Sequence, residues 1–138
     1  MRGIRTVHDF LTVGAPTPLQ HAGAVALALP ETYYERIRRE YAERRETMLR
    51  ILAETGFEAR PPAGAYYVMA GFGGLSALDD VTFAERLTAE IGVAVVPGSS
   101  FYSRPELGRR IVRFSFCKRL ETLEEAGRRL RKLAGGPR

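Results

Sequence analysis

Lysine is nearly missing from this basic sequence. Lys118 and Lys132 are the only two among 138 residues, so the formal charge of +5 rests on arginine, and chemistry that needs an ε-amine has two candidates. Cysteine is scarcer still. Cys117 stands alone, which excludes an internal disulfide, and with no CxxC or Cys/His neighbour there is no zinc set. It reads as a small core or near-core residue rather than a nucleophile, because its strand holds no histidine. His8 and His21 lack any triad-like arrangement and read as structural. No apolar run approaches the ~18 residues of a membrane span, and Met1-Arg2-Gly3-Ile4-Arg5 leads into no signal-like apolar core. The expectation is a cytoplasmic chain with no membrane partner and no metal.

What is present suits a folded domain: 45% of residues are apolar and 27% charged. The sequence pI near 9.8 raises nucleic acid as a partner. The arrangement of the arginines argues against it. Arg36, Arg38, Arg39, Arg44 and Arg45 alternate with Glu31, Glu35, Glu40, Glu43 and Glu46, the pattern of a solvated helix laced with ion pairs. No RNA-recognition strand of alternating aromatic and basic residues is present.

Along the chain, Asp9-Phe10-Leu11-Thr12-Val13 precedes a break at Gly14-Ala15-Pro16-Thr17-Pro18. Leu19 to Leu29, rich in alanine, predicts a helix buried on most sides by another domain or subunit. Pro30 and Glu31 open a long helix to about Glu54, ended by Gly56. Tyr34, Ile37, Tyr41, Arg44, Met48, Ile51 and Leu52 form its stripe. Short strands are expected at Phe57 to Arg60 and Ala65 to Ala70, sharing one sheet, and Val93 to Val96 reads as a buried strand. Thr82 to Ile91 predicts a helix capped by Asp79 or Asp80. Ile111 to Cys117 reads as the last strand and Glu121 to Leu133 as the closing amphipathic helix, with a frayed tail from Ala134. The fold class is α+β: a small, mostly antiparallel sheet backed by helices in a sandwich, preceded by a long helix of interdomain type.

Arg113 is the most informative residue, placed between Val112 and Phe114 in a strand otherwise apolar or small. Ile111, Arg113, Ser115 and Cys117 share one face; Val112, Phe114 and Phe116 take the other. Its guanidinium either forks onto a carboxylate or stays solvated beside Arg109 and Arg110, and periodicity leaves both readings open. Pro97-Gly98-Ser99-Ser100-Phe101 leaves a strand as a polar loop whose amides could line a pocket. Pro61-Pro62-Ala63-Gly64-Ala65-Tyr66 suggests a close backbone approach at Gly64, or simply a turn. Gly71-Phe72-Gly73-Gly74 is not a nucleotide fingerprint.

Four segments taken together carry a family resemblance: Ala15-Pro16-Thr17-Pro18-Leu19-Gln20, Pro62-Ala63-Gly64-Ala65-Tyr66-Tyr67, Gly92 to Phe101, and Val112-Arg113-Phe114-Ser115-Phe116. In order and spacing, this chain resembles the C-terminal half of class I/II aminotransferases, pyridoxal-phosphate enzymes of fold type I. The resemblance implies transfer of an amino group between an α-amino acid and a 2-oxo acid. It implies that Arg113 grips the substrate α-carboxylate; Gly64, Tyr66, Pro97, Gly98 and Ser99, from the two loops, are candidates to line a pocket or are simply turn residues. It implies a remnant of a large-domain or interface segment at 1–29, a small domain at 30–138 and a homo-oligomer. The family's Schiff-base lysine matches neither Lys118 nor Lys132, so covalent cofactor binding and turnover by this chain alone are not expected. The alternative is a non-catalytic carboxylate-binding or oligomerisation module.

Overall fold

A computed structural model describes residues 2–11 and 14–134. Met1, Thr12, Val13 and the tail from Gly135 lie outside the described residues; of the tail expected to fray, only Ala134 is described, and it is helical. The chain divides into two compact units at Ile37/Arg38, within the long helix.

The first unit holds α1 (Arg2–Leu11), α2 (Thr17–Leu27) and the start of α3 (Glu31–Glu54). Pro18 occupies the first turn of α2, where its missing N–H removes no helix bond. Neither α1 nor α2 buries a residue within the chain. Ile4, Phe10, Leu19, Val25 and Leu27 are all exposed. The burial expected of this segment would have to come from surfaces outside these residues.

In the second unit, four antiparallel strands run in the order β1-β2-β4-β3: β1 (Glu58–Ala59), β2 (Tyr67–Gly71), β3 (Val96–Pro97) and β4 (Ile111–Ser115). The alternation expected of β4 is present, with Val112 and Phe114 buried and Ile111, Arg113 and Ser115 half-buried. Val68 and Ala70 of β2 join them on the core face. Over this face lie Met48, Ile51 and Leu52 of α3 and Leu123 and Leu130 of the closing helix α5 (Leu120–Ala134). Each large apolar side chain buried there contributes about 1.5–3 kcal/mol. Gly127 lets α5 approach α3, since a Cβ on it would sit 3.0 Å from Ile51 Cγ1.

Helix α3 ends where its sequence says it must. Gly56 adopts φ +84°, a left-handed cap that a side chain resists, and the Phe57 N–H returns to Leu52 O at 2.9 Å. After β2, α4 (Asp80–Arg86) passes into a π-helical turn, Leu87–Ile91, which covers the expected helix. The expectation of a strand over Val93–Val96 is corrected. The Val93 N–H completes the helix end by bonding Leu87 O, so pairing begins only at Val96, opposite Arg113. Cys117 is likewise corrected: β4 stops at Ser115 and leaves the thiol exposed.

Candidate functional site

Arg113 is at the centre of the sheet's open face. β4 is an inner strand, so Arg113 has Met69 of β2 opposite on one side and Val96 of β3 on the other. The alternation that buries Val112 and Phe114 turns the arginine to the opposite face. Two rings meet its guanidinium: Tyr67 at 5.0 Å and Phe101 at 4.7 Å from ring centroid to Cζ. These are cation–π contacts. Tyr67 reaches it diagonally across the ladder, since its own partner is Ser115. Phe101 arrives from the 3₁₀ turn Gly98–Phe101 that follows β3.

The Nε of Arg113 is buried and has no hydrogen-bond partner among the described residues. Among the described residues no carboxylate forms an ion pair with it, although other arginines do find acidic partners, Arg50 with Glu54 and Glu124, Arg129 with Glu125. A buried donor left unpaired costs about 1–3 kcal/mol, and more when charged. A planar anion accepting from this edge would remove that cost.

Arg110, three residues earlier, behaves differently. It donates to the carbonyls of Leu78 at 2.7 Å, Gly73 at 3.2 Å and Ser76, and covers the Phe72 ring at 5.0 Å. Its donors are spent on holding the turn after β2. Arg109 is exposed.

The loop residues named from sequence divide. Pro97 is paired with Val112 in β3. Gly98 is buried, and a Cβ there would lie 2.5 Å from Ile111 O and 2.6 Å from Gly108 O. The Ser99 amide does not face a pocket as a free donor, because it bonds Asp80 Oδ2 at 2.7 Å. At Gly64 an added Cβ would meet nothing within 4 Å among the described residues. The strained position is its neighbour, Ala65, at φ +66°, a conformation costing roughly 1 kcal/mol for a residue with a side chain. Tyr66 is 51% exposed and its carbonyl accepts the Phe116 N–H at 2.9 Å. Gly64, Ala65, Tyr67, Met69 and Arg110 border a groove of about 1010 Å³ on the open side of the sheet.

Tyr67, Phe101 and Asp80 were missed by sequence reasoning. Tyr67 has the same parity in β2 as the open-face residues, a signal that needed the β2–β4 pairing to be known. Asp80 lay hidden in the choice between two adjacent caps.

The α+β unit carries a ring-flanked arginine at the centre of its four-stranded antiparallel sheet. The comparisons with known proteins give its family. Residues 1–130 match the family model described as aminotransferase class I and II, and the chain belongs to that family. It is 36% identical to methionine aminotransferase of Escherichia coli over 130 residues, 94% of this chain and 33% of that protein. It is 31% identical to kynurenine–oxoglutarate transaminase of Dictyostelium discoideum, over 94% of this chain and 34% of that one. The solved structure of N-succinyldiaminopimelate aminotransferase from Mycobacterium tuberculosis superposes with a TM-score of 0.83 at 33% identity, over 96% of this chain and 34% of that one. The chain thus spans about a third of the length of the relatives it matches. No helix among the described residues is long and apolar enough to cross a membrane.

Family members generally use pyridoxal phosphate. The residues described here do not by themselves fit that cofactor. Lys118 is exposed on the rim of a different groove, beside Phe114 and Thr122, and Lys132 is exposed in the last turn of α5.

Proposed function

We propose that this chain is the C-terminal, small-domain portion of a pyridoxal-phosphate-dependent aminotransferase acting on an α-amino acid and a 2-oxo acid, and that Arg113 holds the substrate α-carboxylate. One observation carries the assignment of Arg113: its buried, unpartnered Nε, set between Tyr67 and Phe101. The cofactor and its lysine are then supplied from outside these residues, a reading supported by the exposure of both lysines present and by the third of relatives' length that the chain spans. Residues 1–29 are read as large-domain or interface sequence and 30–138 as the small domain. The exposed apolar side chains of α1 and α2 support a homo-oligomer. A cytoplasmic setting completes the proposal.

The test is titration of the chain with acetate or pyruvate, following the ¹⁵N–¹H signal of Arg113 Nε. A saturable shift is expected. Arg113→Met should abolish carboxylate binding yet leave the melting temperature unchanged or higher, because a thioether needs no hydrogen-bond partner at that buried position. An Arg113 signal indifferent to carboxylates, or binding that survives in Arg113→Met, would remove the assignment.

A further inference from the structure

Helix α4 begins with two aspartates that do different work. Asp79 is the cap: its Oδ1 accepts the N–H groups of Val81 and Thr82 at 3.0 Å each, and Oδ2 accepts the Thr82 hydroxyl. With those donors satisfied, Asp80 is not needed at the helix end. It is 2% exposed, and its Oδ2 takes the Ser99 N–H at 2.7 Å, across 19 residues of sequence. A carboxylate is rarely buried to this degree without a specific partner.

The backbone at Ser99 is also crowded by Gly108. A Cβ on Gly108 would lie 2.3 Å from Ser99 N and 2.3 Å from Gly98 C, so the two backbones pack with no room for a side chain. The turn Gly98–Phe101 is thereby held between the start of α4 and the segment leading into β4. Its last residue, Phe101, is 45% exposed. So exposed a ring has little packing of its own to fix it, and its place over Arg113 is set by the turn that carries it.

We infer that Asp80 is a positioning residue: by holding the Ser99 amide it sets the Phe101 ring over the Arg113 guanidinium. Its bearing on carboxylate affinity rests on the reading of Arg113 proposed above; the ring placement does not. Asp80 touches neither Arg113 nor a substrate, and no other described interaction assigns its buried carboxylate a role.

The experiment compares Asp80→Ala, Asp80→Asn and Phe101→Leu in the full 138-residue chain. The readout in ligand-free protein is the ring-current shift of the Arg113 side-chain protons, for which Phe101→Leu measures the share due to Phe101. In Asp80→Ala that share should vanish, and acetate binding should weaken by about tenfold with loss of the preset ring. Asp80→Asn keeps an oxygen that accepts the Ser99 N–H and should restore both to within about twofold. A merely structural aspartate would lower the melting temperature without moving the Arg113 signals. Wild-type Arg113 shifts in folded Asp80→Ala would overturn the inference, as would Asp80→Asn losing the ring shift as fully as alanine does. Should Asp80→Ala fail to fold, Asp80→Glu serves, since one added methylene displaces the turn; an unchanged ring shift there overturns it equally. Acetate indifference of the wild type, with the ring-current differences intact, would instead sink the carboxylate reading alone.

Discussion

The turn around Arg110 and the sheet face around Arg113 are three residues apart and treat the same side chain in opposite ways. Arg110 meets three carbonyls and one ring, and its positive charge is absorbed into holding Gly73–Leu78 in place. Arg113 meets two rings and, among the described residues, no acceptor at its Nε. Rings lower the cost of desolvating the cation without satisfying its N–H groups. The comparison teaches that packing alone does not mark an arginine as structural; the state of its donors does.

The most disruptive way to break the comparison is on the Arg113 side. Gly108→Ala would drive a methyl group into the backbone of Gly98 and Ser99. Relief requires moving the turn that carries Phe101, and the expected cost is about 3 kcal/mol or more. Denaturant unfolding should show it, together with a shifted Arg113 Nε signal. On the other side, Arg110→Ala strips three carbonyls of a charged donor, with an expected loss of about 1–2 kcal/mol in the same assay. Acetate should still move the Arg113 signal in that variant. If it does not, the two regions are one network and the contrast fails.

The smallest effect concerns pH. Hydrogen bonding, first from the Thr82 backbone and then from its hydroxyl, holds the Asp79 carboxyl below its ordinary value. A depressed folded value means the cap contributes fully above the unfolded aspartate pKa and is lost as pH falls through the folded one. Wild type should therefore lose melting temperature relative to Asp79→Asn below about pH 4, since asparagine caps a helix without titrating. Parallel curves for the two proteins from pH 7 to pH 2 would contradict this. Because α4 presents Asp80 to the turn, the comparison also shows how far the helix end stabilises the Arg113 side.

Much of the architecture was legible because it rests on local periodicity. Helix α3 runs from Glu31 to Glu54 as its stripe and Gly56 imply, and β4 alternates as Val112 to Ser115 predict. Arg113 stood out for the same reason, a charge interrupting an apolar strand. What could not be read depends on tertiary closure. Val93 and Ala94 have strand composition, yet the π-helical turn before them claims the Val93 amide. At Gly64 nothing among the described residues comes within 4 Å of an added Cβ, while the left-handed backbone fell on Ala65. The division of labour between Asp79 and Asp80 is invisible in sequence, since either suits a cap and only the position of Ser99 decides which is buried.

The unpaired Nε of Arg113 has a practical consequence for handling the protein. Any small carboxylate that binds the folded chain and not the unfolded one shifts the folding equilibrium by mass action, by about 2.7 kcal/mol when present at a hundred times its dissociation constant. Under the function proposed for Arg113, acetate and citrate would not be inert buffers for this molecule: its measured stability would be a property of the solution as much as of the chain, and a preparation moved from acetate into a carboxylate-free buffer would be a weaker protein.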